Sequence, residues 1–203
     1  VQEEIRAIPS FAAIRRMERA EAEGRGLLTI VGPEVDEAYL DKIHSVILSP
    51  AVIAAAADLK IVYTPLHGAG NRLVRAALER AGFRNVAVVT EQEEPDGDFP
   101  TVKSPNPEEP DAMRLAIALA DRRGADVVIG TDPDGDRLGV AVRDQEGVCR
   151  LLTGNQIGCL LLHYVLSARR ARHDLPRNGA IIKTIVSTEM ARAIADAYGV
   201  RTM

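Results

Sequence analysis

Beyond residue 57 the chain alternates between two hydrophobic periodicities. Leu59–Tyr63 is a short, nearly continuous apolar run; it leads through a glycine-bearing loop into a helical pattern from Asn71 to about Arg80, which Gly82 ends. "NVAVVT" (85–90) predicts the next strand, and "LAIALADRRGADVVIGT" supplies a second helix and a buried strand from Asp126 to Gly130. Strand, helix, strand, helix, strand is the pattern of a parallel sheet with helical crossovers, buried on both faces. "LGVAV", the turn "RDQEG" and "VCRLL" then predict a hairpin, and "TGNQIGCLLLHYVLSARRA" a helix with a polar opening and an apolar middle. "GAIIKTIVSTEMARAIADAYGV" repeats the plan of strand, tight turn and helix.

Upstream the pattern differs. In residues 1–24, Ile5, Ile8, Phe11, Ile14 and Met17 recur three apart between charged residues, which predicts a helix with an apolar stripe. An apolar stretch and a Gly32-Pro33 break follow, then an amphipathic helix from about Glu34 to Ile47. The expected fold class is α/β: a mixed, mainly parallel sheet with helices on both faces, followed by part of a second similar domain. The expected segments are 1–33, 34–147 and 148–203, with the second boundary near Gly147. A chain that opens at Val1 and stops at Met203 just after a helical run reads as a piece of something longer.

Composition narrows the partners. The chain is 46% hydrophobic, enough for a real core, and its net charge of -4 comes from 29 acidic against 25 basic residues spread along its length. That leaves no electrostatic footprint for nucleic acid or an anionic membrane, so small molecules or proteins are the expected partners. No apolar run approaches bilayer length, and Cys149 and Cys159 match neither a disulfide framework nor a metal spacing, so a cytoplasmic setting with free thiols is expected.

The candidate chemistry lies in "GTDPDGDRLGV" (130–140), where Asp132, Asp134 and Asp136 follow a strand that ends in Gly130. Ligands bind at carboxyl-terminal strand ends of open parallel sheets. Three like charges this close repel unless something neutralises them, and a divalent cation does that best. Pro133 fixes its own φ and Gly135 permits unusual torsions, so the turn can aim three side chains at one point. Oxygen-only ligands favour magnesium, manganese or calcium over zinc. An EF-hand is excluded, because counting from Asp132 its required glycine and glutamate positions hold Arg137 and Arg143. A solvated acidic turn is the plain alternative. A phosphatase of the haloacid dehalogenase type is a sharper one, with Asp132 as phosphoryl acceptor and Asp134 as general acid.

The string "DPDGDR" behind an apolar strand resembles the metal loop of the α-D-phosphohexomutases. "YTPLHGAGN", "DGDFPTVKSPNPEEPDAM", "TGNQIG" and "KTIVSTEM" resemble further segments of bacterial phosphoglucomutases, in that family's order. The resemblance implies a four-domain isomerase that moves a phosphoryl group between the 1- and 6-positions of glucose or mannose phosphate, through a phosphoserine and a bisphosphate intermediate. It implies Mg2+ as cofactor with Asp132, Asp134 and Asp136 as its protein ligands, and Arg137 as a phosphate contact. Arg137 has a structural alternative, a pair with one of the aspartates. Lys183 stands where a basic residue of the family can meet the sugar's distal phosphate, although a snorkelling surface lysine fits its place too. Glucose precedes mannose as expected substrate because "FPTVK" resembles the phosphoglucomutase branch.

The resemblance has gaps. No Thr-Ala-Ser-His-Asn-Pro-like serine loop occurs, nor do the family's sugar-recognition and Ser-Gly-Thr phosphate loops. The segments therefore correspond to the end of domain one with its linker helix, domain two, and the first part of domain three, with the missing domains as partners. Such a piece is expected to be inactive alone; a non-catalytic metal or sugar-phosphate binding module is the remaining alternative. "LHGAGN" lacks both the Walker lysine and the dinucleotide fingerprint, so it reads as a tight turn and His67 as a local hydrogen-bonding residue. The five prolines of "EEPDGDFPTVKSPNPEEP" predict an extended loop in which Asp96 and Asp98 are not metal ligands, and in which Asn106 and Glu108 serve turn and helix start.

Overall fold

The computed structural model describes residues 1–203, which divide into two units, 1–38 and 39–203. The first holds α1 (Gln2–Arg6), a 3₁₀ turn (Phe11–Ala13) and α2 (Arg19–Gly24), and α3 (Pro33–Ser45) starts within it. The single helix expected over 1–24 is thus broken. Pro9 interrupts the helical hydrogen bonding, and a strict spacing of three drifts around a helix of 3.6 residues per turn, so the five apolar positions never formed one face. Ile5, Phe11 and Met17 are exposed.

The second unit is built on β1 (Lys60–Thr64), β2 (Asn85–Val88), β3 (Val127–Thr131), β4 (Leu138–Arg143) and β5 (Cys149–Leu151), in the spatial order β2-β1-β3-β4-β5. β1 pairs parallel with both β2 and β3, and the hairpin β4–β5 adds antiparallel at β3. The sheet therefore runs past residue 147 to Leu151, because the Asp144–Gly147 turn folds the chain back onto β4: Oδ1 of Asp144 accepts from the amides of Glu146 and Val148.

A short helix α4 (Pro50–Ala55) precedes β1, α5 (Asn71–Ala81) joins β1 to β2, and α6 (Pro110–Arg123) joins β2 to β3. These two crossovers run in opposite directions across the sheet, so two right-handed connections place α5 and α6 on opposite faces. α5 ends at Gly82, whose φ of 109° closes the helix in a left-handed turn that a side chain would resist. On the α6 face, Val62, Val89, Met113, Ala116, Ala120, Val128 and Ala141 form a closed core. Alternation puts Ile61 and Tyr63 on the other face, and both are buried. This two-sided covering explains why β1 reads as one continuous apolar run.

The remainder comprises α7 (Gly154–Ala171), β6 (Ala180–Ile181), α8 (Met190–Ala197) and β7 (Arg201–Thr202), with β6 and β7 paired parallel. α7 opens with a full capping box between Thr153 and Gln156. It packs on α8 through Leu166, Ala195 and Val200.

Candidate metal centre

In the strand order 2-1-3, connections leave β1 and β3 toward opposite sides, which opens a crevice at their carboxyl ends where doubly wound sheets bind ligands. The acidic turn begins there. Its base is fixed by a contact between strands: the Tyr63 hydroxyl lies 2.9 Å from Thr131 Oγ1. Burial pushes the Tyr63 phenol above its ordinary range, so it stays protonated and able to donate.

Asp132 is buried, whereas Asp134 and Asp136 are exposed, and one carboxylate oxygen from each lies within 4.8 Å of the others. Gly135, at φ 75°, makes the turn, its amide donating to the Asp132 carbonyl at 3.1 Å. Arg137 then closes it. Its backbone amide donates to Asp132 Oδ1 at 2.9 Å and its Nε to Oδ2 at 2.8 Å, while Asp136 lies 3.7 Å from the same Nε. Burial pushes the Asp132 carboxyl up, but the bonds and charge from Arg137 outweigh it and leave the group below the usual carboxylate range. Asp136 moves the other way, raised by the charges of Asp134 and Asp132. The structure thus brings all four predicted residues together. Three carboxylates against one guanidinium leave an excess of two negative charges, the charge of one divalent cation. The donor set is all oxygen, which suits magnesium, manganese or calcium.

Residues that sequence reading passed over hold the turn from behind. Ala69 donates its amide to the Pro133 carbonyl at 2.8 Å, and a Cβ on Gly68 would lie 2.6 Å from that oxygen and 2.8 Å from its carbon. Gly68 is therefore required by close approach. Gly130 and Gly139 are register partners, and the slot they leave admits the buried Pro107 and Met113: a Cβ on Gly130 would come within 2.5 Å of the Met113 sulfur. A glycine at a strand end facing a glycine in the next strand was the sequence signal for this slot.

His67 is buried at φ 60°, after Leu66 at φ 48°. Two consecutive non-glycine residues in the left-handed region cost about 1–3 kcal/mol each and persist only where their surroundings fix them. As expected of a hydrogen-bonding residue, His67 places Nδ1 3.3 Å from the Glu94 carbonyl and Nε2 2.9 Å from Thr101 Oγ1. Asp96 and Asp98 lie in the proline-rich loop outside the carboxylate cluster, Asp96 Oδ1 accepting from the Asp98 amide at 2.9 Å. Asn106 Oδ1 accepts from the Glu108 amide ahead of α6.

Lys183 is not part of this cluster. Its side chain is 10% exposed, and Nζ donates to the carbonyls of Thr184 and Ser187 and pairs with Glu189 at 2.8 Å. Hydrogen bonds from Lys183 and Arg192 pull the Glu189 carboxyl down to about 2. Both cysteines are free, and no helix is long and apolar enough to cross a membrane.

Comparison with known proteins gives the setting of this turn. Residues 37–147 match the family described as "Phosphoglucomutase/phosphomannomutase, alpha/beta/alpha domain II", which is more than half of the chain. The chain is 38% identical over 178 residues to a phosphoglucomutase of Staphylococcus epidermidis, covering 88% of this chain and 31% of that one. It is 41% identical over 139 residues to the phosphoglucomutase of Staphylococcus aureus, covering 68% and 24%. It therefore spans a quarter to a third of the length of these relatives. Among solved structures, a phosphoglucomutase/phosphomannomutase family protein from Burkholderia thailandensis shares the fold, with a TM-score of 0.63 and 22% identity over 83% of this chain and 32% of that one. A sheet of order 2-1-3 carrying an aspartate turn at its crevice, and a family match over the whole segment that builds it, lead to one conclusion: the chain belongs to the phosphoglucomutase/phosphomannomutase family.

Proposed function

We propose that this chain supplies the metal-bearing part of a phosphohexomutase that interconverts hexose 1-phosphate and hexose 6-phosphate, glucose phosphate in preference to mannose phosphate, with Asp132, Asp134 and Asp136 holding Mg2+. The observation that carries the reading is the convergence of three carboxylates at the sheet crevice with a charge excess of two. In this reading residues 1–33 are the tail of domain one with its linker helix, 34–147 are domain two and 148–203 begin domain three. The missing domains of the same protein bring the serine and the sugar-recognition loop.

Phosphoryl transfer asks a protein mainly for position and charge neutralisation. The bound cation supplies Lewis acidity toward a phosphate oxygen. The chain's own residues prepare its seat. Asp132 is held ionised and immobile by Arg137, whereas Asp134 and Asp136 are exposed and have room to converge. Arg137 binds Asp132 through Nε, which leaves the terminal nitrogens of its fork to meet a phosphate. Both readings of Arg137 thus combine: structural pair at one edge, anion contact at the other. For Lys183, a role toward the distal phosphate requires the ammonium to leave Glu189.

The phosphatase alternative is disfavoured by Asp132 itself. A nucleophilic carboxylate needs an open oxygen, and both oxygens of this buried side chain accept hydrogen bonds from Arg137. The test is a phosphorus NMR time course of the chain with Mg2+ and glucose 1-phosphate. Unchanged spectra are expected, because the nucleophilic serine lies elsewhere. Orthophosphate release that Asp132→Asn abolishes would replace the mutase reading with a phosphatase.

A further inference from the structure

A run of side-chain hydrogen bonds lies directly behind the acidic turn. Thr64 Oγ1 donates to Gln92 Oε1 at 2.6 Å, Gln92 Nε2 donates to Thr101 Oγ1 at 2.9 Å, and Thr101 Oγ1 lies 2.9 Å from His67 Nε2. At the far end His67 Nδ1 faces the Glu94 carbonyl, which can only accept. Nδ1 therefore carries the proton, Nε2 accepts from the Thr101 hydroxyl, and every donor in the chain has an acceptor. Backbone bonds lock both ends. The His67 amide donates to the Gln92 carbonyl, the Asp96 amide to the His67 carbonyl, and the Leu66 amide to Thr64 Oγ1. Thr64 and Gln92 have no exposed surface at all.

A fully satisfied polar chain inside a hydrophobic domain specifies one geometry rather than adding much stability. Here the geometry it specifies is unusual. It holds Leu66 and His67 at positive φ, and the next two residues, Gly68 and Ala69, are those that press against and hydrogen-bond to Pro133 between Asp132 and Asp134. We propose that Thr64, Gln92, Thr101 and His67 are positioning residues for the metal seat, acting by fixing the left-handed Leu66–His67 turn so that Gly68 and Ala69 set the position of Pro133. None of the four touches the cation. The inference rests on the reading of Asp132, Asp134 and Asp136 as metal ligands, and it gives the buried histidine and the loop between η-turn residues 90–92 and α6 a task that the ligands alone do not explain.

The test measures Mn2+ affinity of the 203-residue chain by titration calorimetry and the electron paramagnetic resonance spectrum of the bound ion, alongside urea unfolding. Thr101→Val keeps the shape and removes the hydroxyl that joins Gln92 to His67. His67→Ala removes both histidine bonds, and His67→Asn keeps a residue that tolerates positive φ and a donor toward Glu94. Loss of a partner behind metal ligands costs about tenfold or more in affinity. Thr101→Val and His67→Ala are expected to weaken Mn2+ binding by about that factor and to broaden the spectrum, with His67→Asn recovering part of the loss. If Thr101→Val and His67→Asn fold, unfold at lower urea and bind Mn2+ as the wild type does, the residues are merely structural and the proposal fails. If the wild type binds no Mn2+, or binds it equally with Asp134→Asn and Asp136→Asn, the ligand reading fails and takes the proposal with it.

Discussion

Replacing Gly68 by alanine tests how the acidic turn is held. The residue does not sit at positive φ, so its backbone accepts a side chain and the whole penalty comes from contact. The new methyl would lie 2.6 Å from the Pro133 carbonyl oxygen and 2.8 Å from its carbon. Non-bonded heavy atoms rest at about 3.5 Å, so Pro133 must retreat by about 1 Å, and the 2.8 Å bond from the Ala69 amide stretches with it. Overpacking of this kind costs about 1–3 kcal/mol. Loss of unfolded-state freedom returns about 0.4–1 kcal/mol, leaving a net destabilisation of about 1–2 kcal/mol. Because Pro133 stands between two of the three carboxylates, metal affinity is expected to fall with stability. Gly158→Ala is the control: no atom beyond its own helix backbone lies within 4 Å of the added methyl, and alanine in a helix is expected to stabilise by about 0.5–1 kcal/mol. The assay is urea unfolding with and without Mg2+. A Gly68→Ala chain as stable as wild type and equally stabilised by Mg2+ would refute the buttress.

Tyr63→Phe removes the hydrogen bond to Thr131 beside Asp132 and is expected to cost about 1 kcal/mol in urea unfolding; no change would mean that the contact contributes nothing to the strand ends. Met113→Ala empties the slot over Gly130 and is expected to cost about 2–5 kcal/mol, against little change for exposed Met190→Ala. Glu189 has a folded-state pKa of about 2, below its ordinary 4.5, so its pairing stabilises fully above about pH 4.5 and is lost as pH falls toward 2. Glu189→Gln is accordingly expected to flatten the acid limb of a stability–pH profile in that window, and a limb identical to wild type would contradict the pairing.

The sequence was most readable where a single force dominates. Apolar runs gave β1 and β3 because both faces of the sheet are covered, Gly82 gave the end of α5, and the acidic triplet gave the cluster because only a tight turn can carry it. Readability failed where the cause is tertiary. Nothing local in Gly68 or Gly139 tells which backbone they admit, and Gln92 and Thr101 gain meaning only when the proline-rich loop folds onto β1. Residues 1–24 failed for another reason: a spacing of three resembles a helical stripe over two turns and loses its face over five. Arg137 lay between, since its charge was legible but its choice of Asp132 as partner depends on the turn that Gly135 permits.

The most direct measurement is a calorimetric titration of the chain with Mn2+ and Mg2+, repeated on Asp134→Asn and Asp136→Asn. These two exposed ligands can be changed without burying an unpaired charge. The account predicts one site per chain, weakened at least tenfold by either substitution. Binding that neither substitution alters, or no binding in the wild type, would contradict a metal seat at the Asp132 turn.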